Sequence, residues 1–151
     1  MRIDPWTDDA CPITRAISVL GQRWTVLIIR EAMLGRSHFS EFRRRLGVAS
    51  DVLSARLSEL VAAGIFEAVD YQRPGDRTRK RYVLTDAGHE LMPVLGAMGK
   101  WGNVHMARPQ GSAYRFVDTV TGEPVAVEFC RRDGTSVRPA DVSLMLPEHH
   151  N

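Results

Sequence analysis

Five cations crowd into nine residues near the middle of this chain: Arg73, Arg77, Arg79, Lys80 and Arg81, with Asp76 the single acid among them. A segment so charged is not core, and like charges at close range repel unless an anion lies against them. Arginine suits phosphate, which its planar guanidinium grips through paired N–H donors. A second basic run, Arg43-Arg44-Arg45, stands just before a row of small side chains, Ser50, Asp51, Ser54, Ala55 and Ser58, with Arg56 among them. This is chemistry for holding a polyanion. Arginines would take backbone phosphates, while short polar groups would let a helix seat deep in a groove and touch base edges, though hydroxyls specify sequence weakly. Each part has a plainer alternative. The central run could be a solvated loop, Arg43 to Arg45 a solvated helix end, and Arg56 a salt-bridge partner of Glu59 or of a neighbouring helix rather than a base contact.

A different chemistry attaches to Cys11. Pro12 places it at a helix N-terminus, where the dipole favours a thiolate and Arg15, one turn on, would help; Asp8 and Asp9 act against it. Such a thiol could sense oxidants, or it could be an inert, partly buried group near a dimer interface. Thr121-Gly122 and Cys130-Arg131-Arg132-Asp133-Gly134 look like the knuckles of a zinc ribbon. A ribbon needs about four ligands, of which only Cys130 remains, with His149 and His150 on a loose end, so no metal is expected. His38, His89 and His105 are scattered, and no nucleophile–base spacing or phosphate-cradling glycine loop is present. The chain is therefore read as a non-enzyme without a cofactor.

The distribution of charge supports a polyanionic partner. Over all 151 residues the net charge is only +2, but residues 23–81 hold twelve Lys or Arg against seven Asp or Glu, and residues 112–151 hold four against six. The positive charge sits with the candidate contacts. Arg outnumbers Lys eighteen to two, a skew general enough to carry little weight. Two cysteines make no disulfide framework, Met1 to Ala10 carries three Asp and no apolar run, and Trp24 to Ile29 is too short to cross a bilayer. These features point to the cytoplasm and away from a membrane.

Apolar spacing supplies the elements that must position these residues. Pro12 to Leu20 reads as a helix through Ile13, Ala16, Ile17 and Leu20, ended by Gly21. Trp24, Leu27, Ile28 and Ala32 mark a second, stopped by Gly35. Residues 38–46 make a third with Phe39, Phe42 and Leu46 inward, followed by a turn at Gly47. A fourth runs from Asp51 to Ala63, capped by Ser50, with Leu53, Leu57, Leu60 and Val61 as its stripe. Residues 65–71 and 79–84 read as strands around the Pro74-Gly75-Asp76 turn. Thr85 then caps a long helix reaching roughly to Met106, with Pro93 either kinking its first turns or sitting near its start. Gly96, Gly99 and Gly102 on that helix suggest that another helix packs closely. Beyond a linker at 109–112, Tyr114 to Val120 and Pro124 to Cys130 look like strands, with a further turn at Asp133-Gly134 and a loose end from Pro147. The expected fold is α+β: a winged helix-turn-helix with a long terminal helix, over residues 1–107, and a small β-hairpin appendage over 112–146.

In this order the residues resemble the HxlR family of bacterial transcription regulators, a branch of the MarR-like winged-helix proteins. The resemblance runs over about residues 11–102. It rests on Cys11-Pro12, Leu20-Gly21-Gln22-Arg23-Trp24-Thr25, Ile29-Arg30-Glu31, Phe39-Ser40-Glu41-Phe42, Leu53-Ser54-Ala55-Arg56-Leu57, Leu60, Gly64, Arg81-Tyr82-Val83-Leu84-Thr85, Gly88, Leu91, Pro93 and Trp101-Gly102. It implies a homodimer held by terminal helices, with Leu91, Leu95, Met98 and Trp101 as the dimerisation residues. It also implies one winged helix per subunit on double-stranded DNA, half-sites about 10 bp apart. Some members sense oxidants or electrophiles through a cysteine at the position of Cys11, so an oxidant or small-molecule effector is implied too. Asp51 departs from the amide or basic residue common near the start of the recognition helix. An acid there repels phosphate unless it caps the helix or accepts from a cytosine amine.

Overall fold

The structure, a computed structural model, describes residues 10–146. Asp8, Asp9, the rest of the N-terminal segment, His149, His150 and the chain end from Pro147 lie outside the described residues. Two compact units are present, one extending to Leu95 and one starting at Gly96.

The first unit carries α1 (Pro12–Leu20), α2 (Arg23–Met33), α3 (Phe39–Leu46), α4 (Ser50–Ala62), a hairpin of β1 (Phe66–Tyr71) and β2 (Arg79–Leu84), and a short α5 (Asp86–His89). Pro12 opens α1, where its missing N–H costs nothing. The turn between α3 and α4 rests on Gly47, whose φ of 63° is the left-handed region that suits glycine. The core is made by Ile28 and Ile29 of α2, Phe42 of α3, Val48 in the turn, Leu53, Leu57 and Leu60 of α4, and Ile65 and Phe66 leading into β1. The Phe42 and Phe66 rings lie 6.4 Å apart. The hairpin pairs Phe66 with Leu84 through to Tyr71 with Arg79.

Two boundaries differ from the sequence expectation. Ser50 is the first residue of α4 and not its cap; Ala49, with extended backbone, holds the cap position, and its carbonyl accepts from Leu53 N at 2.9 Å. The helix expected from Thr85 to Met106 is two pieces, α5 and then α6 (Met92–His105). Pro93 explains the break, since it can donate no hydrogen bond to His89 and its ring crowds that carbonyl. Thr85 does cap α5, its hydroxyl oxygen accepting from Gly88 N at 3.1 Å.

In the second unit the appendage folds back on the glycine face of α6. A Cβ on Gly96 would stand 2.6 Å from Val127 Cγ2, and one on Gly99 would stand 3.5 Å from Phe116. Lys100 Nζ donates to the Val127 carbonyl at 3.4 Å and lies 4.0 Å from Glu128. The glycines thus admit an irregular segment of the same chain where sequence suggested a helix, while Gly102 meets nothing. The expected strand over 114–120 shrinks to a Val117–Pro124 bridge, and that over 124–130 keeps strand form only at its last two residues. Asp118 accepts from Val120 N (2.7 Å) and Thr121 N (2.9 Å), curling the chain. The regular hairpin is instead β3 (Phe129–Cys130) with β4 (Ser136–Val137), around the Asp133-Gly134 turn.

Candidate nucleic-acid interface

Helix α4 shows a two-sided surface. Leu53, Leu57 and Leu60 are buried, and Ser50, Asp51, Ser54, Ala55 and Ser58 are all exposed. Burial of the leucine stripe fixes the helix rotation and so turns the small polar face to solvent. Arg56 lies at the edge of that face with its side chain only 15% exposed, Nη2 3.0 Å from Glu59 Oε1. Its Nε and Nη1 are buried without a hydrogen-bond partner. Of the two expectations for Arg56, the ion pair with Glu59 is the arrangement present.

The hairpin sets its cations by the two-residue period of a strand. Arg79 and Arg81 alternate with Lys80, which faces Asp70 across the ladder at 4.0 Å. Arg73 and Arg77 flank the connecting turn, closed by Asp76 N to the Arg73 carbonyl (3.0 Å) and by Gln72 Nε2 to the Asp76 carbonyl (2.8 Å). All five cations are exposed.

The hairpin root is tied to the start of α3, a link that sequence reasoning missed. Tyr82 N donates to the Ser37 carbonyl at 2.7 Å, and His38 bridges to Arg81 while its ring meets Tyr71 edge-on at 4.9 Å. Glu41 Oε2 accepts from Ser37 N and His38 N, both at 3.0 Å. Those two N–H groups, followed by the His38 side chain, hold the Glu41 carboxyl down from 4.5 to about 2. The signal was available: Glu41 three residues after His38 is the back half of a capping box.

Arg43, Arg44 and Arg45 are all exposed on α3, and Arg45 also reaches an acid of α2. Its Nε lies 3.7 Å from Oε2 of Glu31, a carboxylate only 1% exposed. Arg30 holds Oε1 of the same group at 2.8 and 3.2 Å, and Arg36 Nε lies 3.5 Å from Oε2. Arg36 was not singled out from sequence, and Glu31 entered only as part of the family motif, with no site role. Trp24, Ile28 and Glu31 fall at helical spacing, so an acid on the apolar face beside Arg30 was the available clue.

The expected dimerisation residues separate into two pairs. Leu91 and Leu95 are half-buried against the core of the first unit. Met98 and Trp101 stand out in solvent at 54% and 59% exposure, as do Val104 and Met106. At about 100° per residue, Met98, Trp101 and His105 lie together on the side of α6 roughly opposite Gly96, and so opposite the appendage. The Trp101 and His105 rings are 5.1 Å apart. Cys11 occupies the cap position of α1 with its thiol exposed, Arg15 Nη1 donating to the Ala10 carbonyl at 3.0 Å. Among the described residues no helix is long and apolar enough to cross a membrane.

The sequence profile of the HxlR-like helix-turn-helix proteins matches residues 19–110. An uncharacterized HTH-type transcriptional regulator of Mycobacterium bovis is 37% identical over 111 residues, 74% of this chain and 69% of that one. Among solved structures, the candidate transcription factor PA1607 aligns with a TM-score of 0.79 at 34% identity, covering 92% of this chain and 96% of its own. The redox regulator HypR in its reduced form aligns with a TM-score of 0.56 at 28% identity, over 64% of this chain and 96% of its own.

Proposed function

This chain belongs to the HxlR-like helix-turn-helix family and is a transcriptional regulator of that type; from that premise we propose that it binds a pseudo-palindromic duplex operator, sequence-specifically and as a homodimer, in the cytoplasm. One observation carries the reading: within one unit, α4 exposes an unbroken face of small polar side chains while the hairpin exposes arginines at its tip and along β2. The α4 face would enter the major groove, with Ser50, Asp51, Ser54, Ala55 and Ser58 at the bases and phosphates. Arg56 joins them only by leaving Glu59. Arg73, Arg77, Arg79, Lys80 and Arg81 would follow the flanking backbone or a narrow minor groove, and Arg43, Arg44 and Arg45 the backbone on the other side. Residues 1–107 would bind DNA and dimerise, and the appendage at 112–146 would extend the dimer or line an effector site.

A response to oxidants or electrophiles is part of the proposal, with Cys11 as the reacting thiol. It rests on the exposure of that thiol at a helix start and on the likeness to HypR. Modification there would shift the balance between dimer arrangements with different recognition-helix spacing.

Selection of bound duplexes from a random pool, then affinity across a salt series, tests the core of this. A palindromic winner with a steep negative salt slope is the expected result. Failure to enrich any sequence, in reducing buffer at low salt, would overturn it.

A further inference from the structure

The cluster around Glu31 joins the end of α2, the connection to α3, and α3 itself. One buried carboxylate meets three guanidiniums. Burial of Glu31 makes its partners obligatory, because an unpaired carboxylate removed from water is costly. Arg30 saturates Oε1, but Oε2 has no hydrogen bond and only the longer contacts to Arg36 and Arg45. Those two side chains are therefore steered toward one point without being used up. Arg36 remains 27% exposed and Arg45 49% exposed, and Nε takes the ion pair in each, leaving terminal amines for another acceptor. Arg36 spends one, Nη1, on the Leu34 carbonyl at 3.3 Å. Glu41, the acid one turn from Arg45 on α3, directs its Oε2 to Ser37 N and His38 N. His38, on that same side of α3, bridges to Arg81 of the hairpin, so the cluster is continuous with the basic surface already described.

We propose that Arg36 and Arg45 form a seat for one backbone phosphodiester of duplex DNA, with buried Glu31 as the positioning residue that aims both guanidiniums. The proposal rests on the DNA-binding reading and deepens it. Arg36 enters as a contact, and Arg45 acquires a reason to point where it does. A phosphate here would accept from the terminal amines that Arg36 and Arg45 keep, and the carboxylate behind the arginines removes the freedom that two long side chains would otherwise lose on binding.

The test is titration of a long mixed-sequence duplex across a salt series with wild-type protein, R36Q, R45Q and E31Q, with thermal melts as the folding control. Each arginine variant is expected to stay folded at the assay temperature with a lowered melting midpoint, bind more weakly and lower the salt slope by about 1. E31Q separates positioning from simple Coulombic repulsion: loss of a negative charge near phosphate would tighten binding, whereas loss of aim weakens it. Should E31Q fail to fold, methylphosphonate substitution decides, since a neutral linkage at the seated phosphate should weaken wild type and leave R36Q and R45Q unchanged. Wild-type protein that binds no duplex at low salt sinks the DNA reading itself. Wild-type protein that binds, with its slope kept in both arginine variants or its affinity raised in a folded E31Q, overturns the seat alone.

Discussion

The Arg56 guanidinium stands 3.0 Å from the Glu59 carboxylate one turn further along α4, and the contact engages a side chain only 15% exposed while Glu59 stays 57% exposed. The pair is lopsided: the buried partner is the cation, and two of its nitrogens have no acceptor. Removing Glu59 leaves a hidden charge with nothing to answer it, whereas removing Arg56 relieves two unsatisfied donors. E59A should cost about 1–3 kcal/mol, and R56M should be neutral or stabilising. Urea unfolding of both variants checks this; a larger loss in R56M than in E59A would refute it.

Reversing charge on the hairpin should separate DNA binding from stability. Arg77 and Arg79 are exposed and lie outside the core, so R77E/R79E should leave the melting midpoint nearly unchanged. Duplex affinity should fall sharply, with the salt slope lower by about 1 for each phosphate that is no longer neutralised. Wild-type affinity in this variant would assign the hairpin to some other partner.

Much of this surface is legible in the chain itself, for physical reasons that can be named. The leucines at 53, 57 and 60 recur with the helical period, so the face carrying Ser54 and Ser58 had to point away from them. The arginines at 79 and 81 sit on a two-residue period beside a proline–glycine turn, so a cationic hairpin followed. What escaped were contacts set by the third dimension. Neither the contact of Glu31 with Arg45 nor the return of Val127 onto Gly96 has a local signature. Pro93 marks a kink in any helical reading, but whether it bends a helix or divides it depends on the cap that Thr85 supplies upstream.

Acid should loosen the link between hairpin and α3. The Glu41 carboxyl is lowered to about 2 in the folded chain by Ser37 N–H and His38 N–H. A depressed folded value means that the stabilisation is complete above about pH 4.5 and is lost as pH falls toward 2. With about a third of the side chain in water, the effect at neutral pH should be about 1 kcal/mol, well short of the full shift. E41Q should therefore be less stable than wild type at pH 7 and approach it near pH 2. Parallel stability curves over that window would show that Glu41 contributes nothing.

The Val127 side chain occupies the space where a Cβ of residue 96 would stand, at 2.6 Å. Alanine at a helical glycine ordinarily gains about 1 kcal/mol, but forcing a methyl into filled space costs about 1–3 kcal/mol, and valine is stiff at χ1. The clash should win. G96A should release the appendage, seen as faster amide exchange across residues 124–130, while G96A/V127A should restore protection. If G96A alone leaves exchange unchanged, the appendage is not held by this contact.

The apolar side of α6 then has one remaining use in the proposed dimer. Gly96 and Gly99 are spent on the appendage, and Leu91 and Leu95 are spent on the first unit's core, which leaves Met98 and Trp101 as the expected dimerisation residues still exposed. Burying a side chain of either kind is worth about 1.5–3 kcal/mol, and a charge placed at the centre of such a face must be desolvated on association. M98D and W101D should therefore sediment as monomers with the winged-helix circular dichroism intact, and L95D should instead unfold the first unit. DNA affinity should fall in the monomeric variants and the salt slope should drop to about half, because only one subunit's cations reach the duplex at a time. A dimer that survives W101D and M98D together would move the subunit contact to another surface, with the exposed Ile13 and Ile17 of α1 the next to be charged.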